Sequence, residues 1–123
     1  MEFMIENELL FPHEKKVLSF FADKIKKQKE TVINQINQAF ISRDFNEFYH
    51  IIKFTFDKIP DDLLEENYRF DSTIQILHDD AAPTVFIMFV KNGLVCEFEI
   101  YNADLSKLDF EKMCDGNLFA YQI

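Results

Sequence analysis

The sequence predicts a single α+β domain, residues 1–123, in which two N-terminal helices pack on an antiparallel sheet of about four strands and a C-terminal tail follows. Three observations predict this architecture. Apolar residues recur at helical spacing up to residue 42, they alternate with polar residues in segments after residue 46, and Asn92-Gly93 supplies a tight-turn signal. With 123 residues, 48% of them hydrophobic, the chain can bury a core without disulfides.

Two helices are predicted in the first third of the chain. Pro12 suits the first turn of a helix, where its missing N–H is not needed. Four apolar residues follow at the spacing of one helical face: Val17, Leu18, Phe21 and Ile25. After a charged stretch at residues 26–30, another set at helical spacing predicts a second helix, or a continuation of the first, that ends near Ser42. This set is Val32, Ile33, Ile36 and Phe40.

Strands are predicted from Asn46 onward, where the period becomes alternating. The two faces of the first strand are Phe48, His50, Ile52, Phe54 and Phe56 on one side and Tyr49, Ile51, Lys53, Thr55 and Asp57 on the other. Because His50 lies in the middle of an apolar face, we expect a hydrogen-bonded core histidine. Pro60 ends the strand, and an exposed acidic loop with one helical turn at 61–66 leads to a second strand at 73–78.

The stretch 84–90, TVFIMFV, is apolar on both faces. After the Asn92-Gly93 turn, the strand LVCEFEIY returns with Cys96, Phe98 and Ile100 toward the helices. Its opposite face is predicted to carry Val95, Glu97, Glu99 and Tyr101. A large apolar face needs a cover. The preferred cover is the tail, with a helical turn at 106–113 and an extended end at 118–123, and the alternative is a partner.

The net charge of −9 is concentrated in the later part of the chain, because residues 1–43 carry +1 and residues 44–123 carry −10. Such acidity disfavours nucleic acid and anionic membrane, and it accelerates association with a basic partner. No apolar run reaches the ~18 residues of a membrane span, and the acidic stretch 2–8 does not fit an export signal. Two cysteines, Cys96 and Cys114, are too few for a disulfide framework. The expected compartment is the cytoplasm.

The sequence predicts no enzyme, no metal site and no cofactor. Two glycines, Gly93 and Gly116, are too few for a phosphate-binding loop. The stretch His-Asp-Asp at 78–80 sends successive side chains to opposite faces, so we interpret it as a polar strand end. Glu97 and Glu99 project from one face about 7 Å apart, which would suit an acid–base pair. An acidic surface stripe is the preferred interpretation.

Three stretches carry a family resemblance: FPHEKKVLSFFADKI at 11–25, FNEFYHIIKFTF at 45–56 and the closing hairpin KNGLVCEFEIYNADLSKLD at 91–109. In their order and pattern they resemble a group of small bacterial α+β proteins of uncharacterised or immunity type, most specifically in the hairpin. The resemblance covers most of residues 9–110. Proteins of this group are often encoded beside toxins of contact-dependent inhibition and other polymorphic toxin systems, where each binds and blocks its cognate toxin domain. The resemblance brings no catalytic residue.

The expected function is therefore non-catalytic binding of a toxin domain, such as a basic nuclease, by an acidic and aromatic surface. The candidate contact residues are Asp61, Asp62, Glu65, Glu66, Asp79, Asp80, Glu97, Glu99 and Tyr101. Two alternatives stay open. One is a homodimeric adaptor or structural protein whose apolar sheet face pairs with itself, and the other is a small-molecule-binding protein or enzyme with a pocket around His50.

Overall fold

The computed structural model of the chain describes residues 4–24, 28–65, 70–77, 84–109 and 117–122. Its described elements are the helices α1 (Pro12–Lys24) and α2 (Lys29–Gln38) and the strands β1 (Phe40–Phe45), β2 (Tyr49–Thr55), β3 (Phe70–Leu77), β4 (Thr84–Lys91), β5 (Leu94–Asn102) and β6 (Asn117–Gln122). All described strand pairs are antiparallel, and the sheet order is β1-β2-β5-β4-β3-β6. The predicted α+β fold of two helices and an antiparallel sheet is confirmed.

The four predicted strands correspond to β2, β3, β4 and β5, and the described sheet has one more strand at each edge. At one edge, β1 occupies residues that were predicted to end the second helix. The helix prediction as far as Ser42 was wrong, because α2 ends at Gln38 and Ala39 is already extended. Phe40 to Phe45 then pair in register with Thr55 to His50, so alternate residues of this segment exchange hydrogen bonds with a neighbouring strand.

At the other edge, β6 pairs with β3 from Asn117↔Leu77 to Gln122↔Ser72. The extended end of the tail therefore widens the sheet, and the prediction that it covers a sheet face was wrong for 117–122. The helical turn predicted at 61–66 is absent from its described part, 61–65, where Leu64 instead reaches the core. No helix forms at 106–109 either, and the remainder of that predicted turn lies outside the described residues.

The core lies between the two helices and one face of the sheet. Phe21 of α1 packs in a tilted arrangement against Phe98 of β5 at 5.0 Å between ring centroids, and Phe98 stacks on Phe86 of β4 at 5.8 Å. These rings pack with Leu18 and Ile36 from the helices, and all five side chains are fully buried. Burial of this apolar surface is the main term that holds the helices on the sheet. In the described part of the chain, neither helix has the length and apolarity to cross a bilayer.

The β4–β5 hairpin turns at Asn92 and Gly93, whose φ values are 54° and 77°. Gly93 is needed for a second reason: a Cβ there would lie 2.8 Å from the Leu64 carbonyl oxygen. A bulge follows in β5, because Phe89 pairs with Glu97 while Val90 pairs with Val95, which leaves Cys96 as the extra residue. The bulge turns Val95 into the helix-covered core, so its predicted place on the opposite face was wrong.

Candidate functional site

The face of the sheet opposite the helices, called the far face here, carries the first group of candidate residues. Its side chains come from β2, β4 and β5 in three rows defined by strand register: Tyr49, Tyr101 and Val85; Ile51, Glu99 and Ile87; Lys53, Glu97 and Phe89. Along β4, Val85 is buried with 6% of its surface exposed, whereas Ile87 and Phe89 are half-buried. The far face is therefore a half-exposed mixture of aromatic, aliphatic and acidic side chains, with the exposed cation Lys53 across from Glu97.

Glu97 and Glu99 form a carboxylate pair in the middle of the far face. Burial is the largest influence that raises the pKa of Glu99, and the hydrogen bond and negative charge of Glu97 raise it further. Apolar neighbours on β4 limit access of water to the pair, since Phe89 and Ile87 occupy the opposite register positions. Among the described residues, no ion pair within 4.0 Å links a cation to either carboxylate. The arrangement favours a positive charge brought from outside.

The acidic loop carries the second group of candidates, and it lies on the helix side of the sheet at the β4–β5 turn. Its position is fixed by Gln35 of α2, whose Nε2 donates to the carbonyl oxygens of Asp62 at 3.0 Å and Gly93 at 2.9 Å. The Oε1 atom of Gln35 accepts the Val95 N–H at 2.8 Å. Leu64 N–H also donates to the Gly93 carbonyl at 2.8 Å, so loop, helix and hairpin are joined at one point.

Asp62 has a structural role within this loop. The hydroxyl of Thr31 donates to its Oδ2 atom at 2.7 Å, which places the carboxylate at the first turn of α2. Negative charge is favourable there, because the unpaired N–H groups of a helix N-terminus carry partial positive charge. Asp61 and Glu65 are exposed.

The structure therefore divides the predicted site. Glu97, Glu99 and Tyr101 share the far face, whereas Asp61, Asp62 and Glu65 lie across the sheet on the helix side. Glu66, Asp79 and Asp80 lie outside the described residues. The alternation of the strands and the β4–β5 hairpin had already placed Tyr49, Tyr101 and one side of β4 on the face of the two glutamates. The structure adds the register, which is not visible in sequence: Tyr49 lies opposite Tyr101, and β4 lies opposite both glutamates.

A buried charge cluster that the sequence analysis did not identify lies beside the β1–β2 hairpin. Its centre is Glu14 of α1, whose side chain is 0% exposed. Arg43 of β1 donates to both carboxylate oxygens at 2.7 to 3.1 Å, and His50 Nε2 lies 2.7 Å from Oε2. The Phe11 N–H donates to Oε1 at 2.7 Å. The prediction that His50 is a hydrogen-bonded core residue is confirmed.

The donors around Glu14 decide its ionisation. Burial by itself would raise the pKa of the carboxyl, but hydrogen bonds from His50, Arg43 and Phe11, with the charge of Arg43, lower it from 4.5 to about 2. Since the ionised carboxylate only accepts hydrogen bonds, Nε2 of His50 carries the hydrogen between them. The cluster thus holds a compensated ion pair at neutral pH.

Aromatic rings enclose this cluster. The guanidinium of Arg43 lies 3.7 Å from the ring centroid of Phe11, and Phe45 stacks on His50 at 5.1 Å. The guanidinium also donates to the Leu9 carbonyl at 2.6 Å, so the segment before α1 is tied to β1. With every oxygen of Glu14 occupied, the cluster fixes the junction of α1, β1 and β2. Among the described residues, no group of three or more His, Cys, Asp or Glu side chains is placed to hold a metal ion.

No protein-family model, no curated protein and no solved structure matches this chain.

Proposed function

We propose that this protein is an immunity protein that binds and neutralises a cognate bacterial toxin domain through its far face, without catalysis. The observation that carries the proposal is the placement of Glu97, Glu99 and Tyr101 on one half-exposed face with apolar side chains around them. Aromatic anchors beside charged groups are typical of the residues that dominate binding energy in protein interfaces.

The electrostatics support a basic partner. The chain carries −9, and the Glu97–Glu99 pair concentrates negative charge where burial and mutual repulsion already raise the pKa of Glu99. A lysine or arginine from the partner would compensate both carboxylates and favour their ionised forms. Basic nucleases present such side chains to phosphate groups, and carboxylates can occupy the same positions. The toxin-related part of the proposal comes from the resemblance of the hairpin and its preceding segments.

The test begins with a pull-down of the tagged protein against the product of the neighbouring reading frame, followed by growth of cells that express that product with and without the protein. We expect tight binding and rescue of growth. The far face is then tested by the double charge reversal Glu97→Lys/Glu99→Lys, which we expect to raise Kd by about tenfold or more.

The matched control is Asp61→Lys/Glu65→Lys, which changes the net charge equally but lies on the helix side of the sheet. An equal loss of affinity in both variants would indicate long-range attraction without a specific face. A loss only in the control would move the contact surface to the acidic loop. Unchanged binding in both variants, or the absence of any binding to a toxic neighbour, would contradict the proposal.

A further inference from the structure

The outer edge of β1 has backbone groups without a hydrogen-bond partner among the described residues. In the described sheet, β1 has β2 as its neighbour on one side only. The Asn46 N–H donates to the Tyr49 carbonyl at 3.0 Å, so Asn46 and Tyr49 form a hydrogen-bonded pair of the β1–β2 hairpin. Because hydrogen-bonded pairs alternate in an antiparallel ladder, the N–H and C=O groups of Ile41, Arg43 and Phe45 point away from β2. Within the described residues, no hydrogen bond engages these six groups.

This edge lacks several of the features that normally prevent strand addition. The register from Phe40↔Thr55 to Phe45↔His50 runs without a bulge, and the strand contains neither proline nor lysine. One protective feature is present, because the charge of Arg43 is directed inward, but Glu14 compensates that charge. Two large aromatic side chains stand at the two ends of the strand, with 49% of Phe40 and 57% of Phe45 exposed. An edge of this kind is a template for another extended segment.

The charges beside this edge favour a basic occupant. Asp44 is exposed on β1, and Glu8 is exposed next to Leu9, whose carbonyl binds Arg43. Arg43 adds no net charge, because Glu14 compensates it, and Lys53 of β2 is the exposed cation across from Ser42. A second copy of the chain would bring another nine negative charges to the edge. Charge complementarity therefore favours a basic segment over self-association.

We propose that the outer edge of β1 binds an extended, basic segment of the partner, which adds a strand to the sheet through the main-chain groups of Ile41, Arg43 and Phe45. The inference rests on the proposed function and adds a second contact surface to the far face. Alternate side chains of the segment lie on the two sides of the sheet. On the helix side they contact the exposed ring of Phe45, and on the far side their cations approach Asp44.

The test is an NMR titration of the full-length ¹⁵N-labelled protein with the peptide acetyl-Lys-Val-Lys-Val-Lys-Val-Lys-amide. The control peptide has the same side chains but is N-methylated at every residue, so that it cannot form a strand ladder. We expect the unmethylated peptide to shift the amide signals of Ile41, Arg43 and Phe45 and to slow their hydrogen exchange about tenfold at about 1 mM peptide. The methylated peptide should leave all three unchanged.

The variant Ile41→Pro supplies the protein-side control, since it removes one outward N–H and keeps the bonds to β2. Circular dichroism checks its fold. We expect the variant to bind the unmethylated peptide about tenfold more weakly.

Three results would overturn the inference. The first is the absence of any shift at about 1 mM peptide, and the second is a set of shifts confined to the far face. The third is a shift of the edge amides with protein concentration alone, which would assign the edge to a second copy. The proposed function is separable, because Ile41→Pro can keep full affinity for the toxin while Glu97→Lys/Glu99→Lys loses it. That combination would remove the edge inference and leave the far face as the binding surface.

Discussion

Two glutamates on opposite sides of one sheet have pKa values shifted in opposite directions, although burial acts to raise the pKa of both. Glu14, on the helix side, is fully buried, yet its pKa falls to about 2 because Arg43, His50 and a backbone N–H donate to it. Glu99, on the far face, is only half-buried, yet burial and its neighbour Glu97 raise its pKa. Burial opposes the charge of both carboxylates, and only Glu14 has donors that outweigh it.

The same comparison separates stability from binding. The Glu14 cluster is complete within the folded chain, since each carboxylate oxygen has a donor. The Glu97–Glu99 pair has no compensating cation within 4.0 Å among the described residues. We therefore expect changes to the first group to affect folding and changes to the second group to affect association. Three experiments test whether the two groups differ in this way.

The largest effect is expected from Glu14→Gln, which keeps the shape of the side chain and removes its charge. Arg43 then keeps a largely buried positive charge without its counter-ion, and the new amide N–H₂ faces donors. We expect a loss of about 3 to 5 kcal/mol in the free energy of unfolding, measured by urea denaturation at pH 7. The control Glu8→Gln, at an exposed position, should change it by less than about 0.5 kcal/mol. A loss below about 1 kcal/mol for Glu14→Gln would contradict the assigned role.

A smaller effect is expected when the same carboxylate is titrated in the unaltered protein. Because the pKa of Glu14 falls from 4.5 to about 2 on folding, its contribution is full above about pH 4.5 and is lost as the pH falls toward 2. The free energy of unfolding is expected to fall by about 3 kcal/mol over this pH range. Urea denaturation at successive pH values measures this loss. The free energy of unfolding of Glu14→Gln should not show this decrease between about pH 4.5 and about pH 2. Parallel pH profiles for the two proteins would show that other carboxyl groups cause the acid sensitivity.

The smallest effect on stability is expected from Glu99→Gln. Since the pKa of Glu99 is raised, its contribution favours folding at low pH and is lost as the pH rises through the raised pKa. Burial and the neighbouring charge of Glu97 disfavour the ionised form of Glu99, so at pH 7 the amide should leave the free energy of unfolding unchanged or higher, within about 0.5 kcal/mol. Affinity for the proposed toxin domain should nevertheless fall. A clear destabilisation would show that the far-face carboxylates support the fold.

The sequence predicted the elements whose determinants are local. The β4–β5 hairpin was predicted because Asn92 and Gly93 can both adopt positive φ, as they do. The faces of β2 followed from alternation, and Ile52 and Phe54 are buried as expected. The bulge at Cys96 was not visible, because an extra residue in one strand shows itself only against its partner.

The elements that were missed depend on contacts between distant residues. Strand β1 has a charged residue, Arg43, on its helix-side face, and this position is acceptable only because Glu14, 29 residues earlier, meets it there. The one available signal was the position of Glu14, which falls on the same helical face as Leu18 and Phe21. A carboxylate on an apolar helix face indicates a buried partner that donates hydrogen bonds or carries positive charge, and His50, on an apolar strand face, was a candidate.

The hydrogen bonds of Gln35 have a consequence for the order of folding. Its buried amide joins α2 to the Asp62 loop and to the β4–β5 hairpin, with partners 27, 58 and 60 residues away in sequence. Until both partners are in place, docking of α2 would bury polar atoms without bonds, at a cost of about 1 to 3 kcal/mol for each group. The hairpin closes through a two-residue turn and can form early. We therefore expect α2 to gain protection from hydrogen exchange only after β4 and β5 have paired. Gln35 thus delays the docking of α2 until the hairpin has formed.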